Sequence, residues 1–212
     1  MLKRLYREYG YVIFLLFLVV SLFDMRIGMI AIICMVAPIL FSLFGKGRYW
    51  CGNYCPRGNF YEHVVSKISP NKKVPKFLKS LGFRIAMILL VFFNFGVGMY
   101  QNWGNLSGIG LVFYRIIVIT SLVGIVLAFF YRPRTWCQFC PMGTIASYIA
   151  RVRGRDNELA VTNSCVACGL CEKACPMELS PKEQKGDKVT STDCILCKKC
   201  VYVCPKKSIT EK

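Results

Sequence analysis

Acidic residues are scarce in this 212-residue chain: Asp and Glu total 11 against 28 Lys and Arg, leaving a formal charge of +17. Histidine is scarcer still. His63 stands alone, which excludes a bis-histidine haem. Polar sequence is also short: 55% of the residues are hydrophobic and mean hydropathy is +0.44. Soluble domains rarely combine such apolarity with such charge. A net +17 would also suit a nucleic-acid binder, so the placement of the basic residues decides. Lys3, Arg4 and Arg7 precede the first apolar run, nine basic residues lie between Lys46 and Arg84, and Arg132 and Arg134 follow the last run. That is loop charge beside membrane segments, and it argues against nucleic acid.

Four apolar segments stand out, at 9–23, 27–44, 83–100 and 109–131. Each is near the ~17–25 residues that a helix needs to cross a bilayer. The first follows a basic start with no small-residue cleavage site before the next run, so it reads as a retained helix. Since each crossing reverses direction, the basic start, the 45–84 loop and everything after 131 fall on the cytoplasmic side. The other side receives Asp24-Met25-Arg26 and the turn at 101–108. Arg115 lies inside the fourth segment, where a charge costs ~2.5–3.5 kcal/mol at mid-bilayer. It must snorkel to the interface or meet a quinone or partner. His63 sits in a stretch, 60–68, expected to lie along the inner surface.

The apolar region repeats itself. Arg48-Tyr49-Trp50-Cys51-Gly52-Asn53-Tyr54-Cys55-Pro56-Arg57-Gly58 follows the second segment, and Arg134-Thr135-Trp136-Cys137-Gln138-Phe139-Cys140-Pro141-Met142-Gly143 follows the fourth. Two copies of helix, helix and cysteine motif share one orientation, related by an axis along the membrane normal. The organisation expected is a four-helix transmembrane domain at 1–150 carrying motifs at 51–56 and 137–141, a linker at 151–158, and a soluble domain at 159–212.

That last domain carries the strongest signal. Cys165, Cys168, Cys171 and Cys175-Pro176 recur as Cys194, Cys197, Cys200 and Cys204-Pro205 at the same spacing. This is the bacterial two-cluster [4Fe–4S] pattern, in which the fourth Cys of each run ligates the other cluster. Cluster 1 is then expected on Cys165, Cys168, Cys171 and Cys204, and cluster 2 on Cys194, Cys197, Cys200 and Cys175. Zinc wants two pairs of ligands and has no use for two four-Cys runs each closed by Pro. Short strands are expected at 159–162, 188–190 and 208–210, giving a small α+β ferredoxin-like unit.

Cys51, Cys55, Cys137 and Cys140 add four thiols at the cytoplasmic ends of the second and fourth helices. That is the ligand count for a third iron–sulfur cluster at the membrane edge. A dithiol/disulfide redox pair, a structural zinc and a packing role compete with it. Cys34, alone inside the second helix, reads as a small apolar residue. No catalytic residue is recognisable.

With its paired C-x(2–3)-C-P motifs and eight-Cys tail, the chain resembles the NapH/NosR-type membrane polyferredoxins over nearly its whole length. The resemblance implies an α-helical membrane protein with four transmembrane helices, joined to a 2[4Fe–4S] domain. Its expected place is a multi-pass protein of a bacterial or archaeal cytoplasmic membrane with both termini inside. Its expected role is electron transfer between a cytoplasmic donor or acceptor and either a quinone or an extracytoplasmic flavin or metalloprotein subunit. A stand-alone quinol dehydrogenase using Arg115, Asn94 or His63, and a redox or metal sensor or assembly factor, are the alternatives.

Overall fold

The computed structural model describes residues 2–155 and 159–211. Its first part is helical: α1 (Leu2–Phe23), a 3-10 segment (Met25–Ile30), α2 (Ala31–Leu43), α3 (Tyr49–Asn53), α4 (Pro56–His63), α5 (Lys76–Lys79), α6 (Leu81–Gln101), α7 (Leu106–Phe130), α8 (Thr135–Phe139) and α9 (Pro141–Arg153). The tail adds β1 (Leu159–Val161), α10 (Leu170–Ala174), α11 (Lys199–Tyr202) and β2 (Ile209–Glu211).

Three segments are long and apolar enough to cross a membrane: Met25–Leu43, Leu81–Gln101 and Leu106–Phe130. The apolar part of α1, Glu8–Phe23, is shorter. Leu16, Leu22, Leu89, Phe93, Val126 and Phe130 on these helices all face outward, an apolar belt that water would not tolerate at this extent. Small residues set the helix crossings. A Cβ on Gly110 would sit 1.8 Å from the Met25 carbonyl oxygen, and one on Gly28 would sit 2.3 Å from that of Gly110, so the 3-10 segment lies backbone to backbone on α7.

Two expectations are corrected. Helix α9 runs through Arg153, because its apolar face continues to Ala150 and the chain breaks only at Gly154, at φ 86°. The segment read as linker therefore starts inside a helix, and its residues Asp156, Asn157 and Glu158 lie outside the described ones. The expected strand at 188–190 shrinks to a single Ala160–Lys188 bridge. Val161 N–H donates to Asp187 O and Val189 N–H to Leu159 O, the two bonds of that bridge, and beyond it Gly186 N–H turns back to Val161 O, so the pairing goes no further. The sheet has two strands, with Leu159, Ala160 and Val161 antiparallel to Glu211, Thr210 and Ile209.

The 60–68 stretch has two faces, with Tyr61 and Val65 buried and Val64, Lys67 and Ile68 exposed. Helix α4 packs against α1 with Asn59 and Tyr61 buried, and Tyr61 donates its hydroxyl to Ser121 O, 3.2 Å away on α7.

Candidate metal centres

The tail folds around two hollows. One is lined by Cys165, Cys168, Cys171 and Cys204, the other by Cys175, Cys194, Cys197 and Cys200. Each run thus lends its fourth cysteine to the other hollow. The backbone is bent to the same plan in both runs. Ala167 and Leu196, Gly169 and Lys198, and Glu178 and Lys207 all take positive φ, each pair at equal offsets from the first Cys of its run. Such a conformation costs an L side chain of order 1 kcal/mol or more, so its repetition at matched positions indicates a loop shaped around something. Leu179 N–H donates to Cys175 Sγ and Ser208 N–H to Cys204 Sγ, both at 3.4 Å.

Among the described residues no three His, Cys, Asp or Glu side chains converge on a single-ion position. Each hollow is instead lined by four cysteines, the ligand number of a [4Fe–4S] cluster. Burial pushes the Cys200 thiol up to about 12 and raises those of Cys175 and Cys194. Ligation here must therefore displace protons.

The membrane-edge motifs are built alike. Cys51 is the third residue of α3 and Cys137 the third of α8. Cys55 and Cys140 each stand at the N-cap of the next helix, followed by Pro at its first position, where a missing N–H costs nothing. The extra residue of the first motif, Tyr54, is absorbed as the C-cap of α3. Unequal spacing in sequence thus gives equivalent stations in space.

Two arginines cross between the motifs. Arg48 donates to Cys137 O at 2.6 Å and Arg134 donates to Cys51 O at 3.0 Å. Arg48 lies over Gly143 and Arg134 over Gly58, where a Cβ would stand 2.5 and 3.2 Å from their guanidinium nitrogens. Both side chains are buried. Burial works against their charge, but nearby thiols and the carboxylates Asp193 and Glu62 raise both above the ordinary arginine value. Burial likewise pushes the Cys51 thiol up to about 12 and Cys137 to about 11, against the pull of Arg48 and Arg134 respectively. Arg57 reaches Cys140 Sγ at 3.5 Å. The indole N–H groups of Trp50 and Trp136 and the Gln138 amide, all adjacent to these cysteines in the chain, are buried without a hydrogen-bond partner among the described residues. Four thiols, a cation and unspent donors suit an anionic, sulfur-rich group.

The tail is docked onto this site. Met177, Ile195 and Cys197 form a buried apolar cluster with Cys51, Cys137 and Cys175 around it. Gly52 meets the Ile195 backbone so closely that a Cβ would lie 2.0 Å from its oxygen. Asp193 accepts two hydrogen bonds from Arg84, at 3.0 and 2.9 Å, and one from Arg48 at 3.2 Å. Glu178 meets Lys79 and Arg132. Glu62 bridges Arg134 and the tail's Lys199. Burial alone would raise the Glu62 carboxyl, but those two cations hold it at about 2. Burial would raise the Asp193 carboxyl too, but Arg84, Arg48 and the Ser147 hydroxyl outweigh it and keep that carboxyl below the usual range.

Other residues singled out from sequence fall elsewhere. Arg115 is exposed on α7, Asn94 is exposed and donates to Leu90 O on its own helix, and His63 stacks on Tyr11 at 6.1 Å. None of them lines the large apolar cavity of about 180 Å³ between α1, α2 and α7. That cavity is lined instead by Cys34, Cys51, Cys55, Arg57, Thr120 and Cys140, among others. Sequence reading passed over Arg57 and Arg84. The signal for Arg57 was its place two residues after Cys55, while Arg84 had none.

Two outcomes follow from the docking. Gly52→Ala costs about 1–3 kcal/mol by overpacking and speeds tryptic release of the tail, whereas Gly96→Ala, whose added Cβ meets open space, does not. Glu62 ionises more readily folded than unfolded, so its stabilisation is complete above about pH 4.5 and is lost as pH falls through about 2. Glu62→Gln therefore flattens the loss of stability across that window in acid unfolding followed by near-ultraviolet circular dichroism. At neutral pH it costs about 3 kcal/mol, because Arg134 loses a buried partner.

Comparison with known proteins bears on both regions. Residues 27–75 and 114–157 match the model of a 4Fe-4S binding domain, and residues 164–209 match that of a 4Fe-4S dicluster domain. One uncharacterised protein of Methanocaldococcus jannaschii is 30% identical over 171 residues, covering 79% of this chain and 65% of that one. A second from the same organism is 27% identical over 177 residues, covering 77% and 71%. A ferredoxin of Methanothermococcus thermolithotrophicus is 48% identical over 48 residues, 21% of this chain and 77% of its own. No solved structure matches the chain. The chain thus carries two 4Fe–4S ferredoxin-type domains and is homologous to uncharacterised archaeal proteins.

Proposed function

We propose that this chain is a membrane-anchored iron–sulfur electron-transfer protein of the NapH/NosR type, with α1 as a fourth crossing helix and the cysteine tail on the cytoplasmic side. Cys165, Cys168, Cys171 and Cys204 would hold one [4Fe–4S] cluster, and Cys194, Cys197, Cys200 and Cys175 a second. Cys51, Cys55, Cys137 and Cys140, from two copies of one repeated motif, would hold a third. Such clusters, when bound, supply one-electron transfer.

The observation that carries this reading is the shared apolar cluster in which Cys197 and Cys175 of the second tail set meet Cys51 and Cys137 of the membrane-edge set. The chain's own part is to hold the sets in one block and to exclude water between the inner two. The first tail set stays near solvent, since Cys168 and its neighbour Val166 are exposed. That face suits a cytoplasmic donor or acceptor. On the other side, the cavity against Cys55 and Cys140 suits a lipid-soluble carrier such as a quinone, for apolar cavities of ~150 Å³ already admit aromatic rings. An extracytoplasmic flavin or metalloprotein subunit would instead meet the turns at 24–26 and 101–108.

Anaerobic purification in detergent with iron and acid-labile sulfide analysis tests the reading. About twelve irons per chain are expected, falling to about eight in Cys51→Ser or Cys137→Ser. Zinc in place of iron, or the same iron count in these variants as in the unsubstituted chain, would refute it.

A further inference from the structure

Among the described residues, Arg57 is the guanidinium of the membrane-edge shell that meets no carboxylate. Arg48 and Arg84 meet Asp193, Arg132 meets Glu178, and Arg134 meets Glu62. Among the described residues Arg57 has only neutral or sulfur partners. It donates to Thr120 Oγ1 at 2.9 Å and to Cys140 Sγ at 3.5 Å, and it lies 5.6 Å from the Trp136 ring. Thr120 spends its own hydroxyl hydrogen on Ile116 O, 2.7 Å away, so it meets Arg57 as a plain acceptor. Arg57 also lines the apolar cavity, beside Cys55 and Cys140. A guanidinium so placed is expensive unless an anion answers it. The second motif supplies no such cation: the residue at the equivalent station is Met142. Among the described residues, Arg57 is therefore a positive charge beside the four thiols that no carboxylate neutralises.

We infer that Arg57 is the counter-charge of the membrane-edge thiol set and raises the reduction potential of the centre held there. The inference rests on the three-cluster reading above. Reduction adds one negative charge to a thiolate-bound cluster, and a fixed cation beside it favours the reduced form. Arg57 is thus a positioning and tuning residue rather than a ligand. It makes the centre nearest the lipid a better electron acceptor than its thiolates alone would allow.

The test uses the full chain, purified anaerobically, with Arg57→Gln and Arg57→Lys. Iron is counted, and EPR-monitored titration with dithionite gives midpoint potentials. Arg57→Gln is expected to disfavour reduction of the membrane-edge centre at least tenfold, about 59 mV for one electron, while the tail centres hold their potentials and Arg57→Lys recovers most of the shift. An unchanged midpoint in Arg57→Gln, or an equal shift in all centres, overturns the inference. If Arg57→Gln loses the centre's iron, the lysine variant decides: retained iron supports a role for charge, and lost iron overturns it. About eight irons in the unsubstituted protein would instead sink the three-cluster reading itself, and the count would show this before any titration.

Discussion

Three carboxylates, Glu62, Glu178 and Asp193, clamp the cysteine tail to the helical part, and the relation between the cysteine sets depends on that clamp. Each is enclosed between two cations drawn from separate parts of the chain. Exposed ion pairs contribute little, but these are part-buried and networked, and Arg84 grips Asp193 with both nitrogens. In a protein with 11 acidic residues against 28 basic ones, placing three of the acids at one junction fixes where the tail can sit. Between the clamps the contact is apolar and close, with Gly52 under Ile195 leaving no room for a side chain.

The same economy appears within the membrane-edge site. Arg48 and Arg134 each leave their own motif to bond the first cysteine's carbonyl in the other, so the two loops hold one another. Each guanidinium is then tied outward to an acid, Asp193 or Glu62, so assembly of the loops and docking of the tail are one event. A structural role of this kind explains why charged groups remain where burial opposes them.

The tail sets were legible in the sequence because their loops follow local spacing: three cysteines two residues apart can surround one hollow without help from the rest of the fold. The exchange of Cys175 and Cys204 between hollows follows the same pattern. Long apolar helices were legible for a similar reason, although α1 was harder because its apolar part is short. The arginines were not. Counting Lys and Arg beside apolar runs gives orientation but treats them as solvated charge, whereas Arg48, Arg84, Arg132 and Arg134 have partners up to 145 residues away. Arg115 interrupts an apolar run, yet it is exposed, and the cavity lies against another face of α7, around Thr120. The strand expected at 188–190 keeps one antiparallel bridge, at Lys188, because the chain turns at Gly186 and the pairing does not extend.

Adjacency between the second tail set and the membrane-edge set is the central claim, and magnetic coupling reads it directly. Low-temperature EPR of the fully reduced protein should show a three-centre interaction spectrum, which Cys137→Ser reduces to the coupling between the two tail clusters alone. A spectrum of the unsubstituted protein that is the plain sum of a coupled tail pair and an isolated third centre would contradict the account.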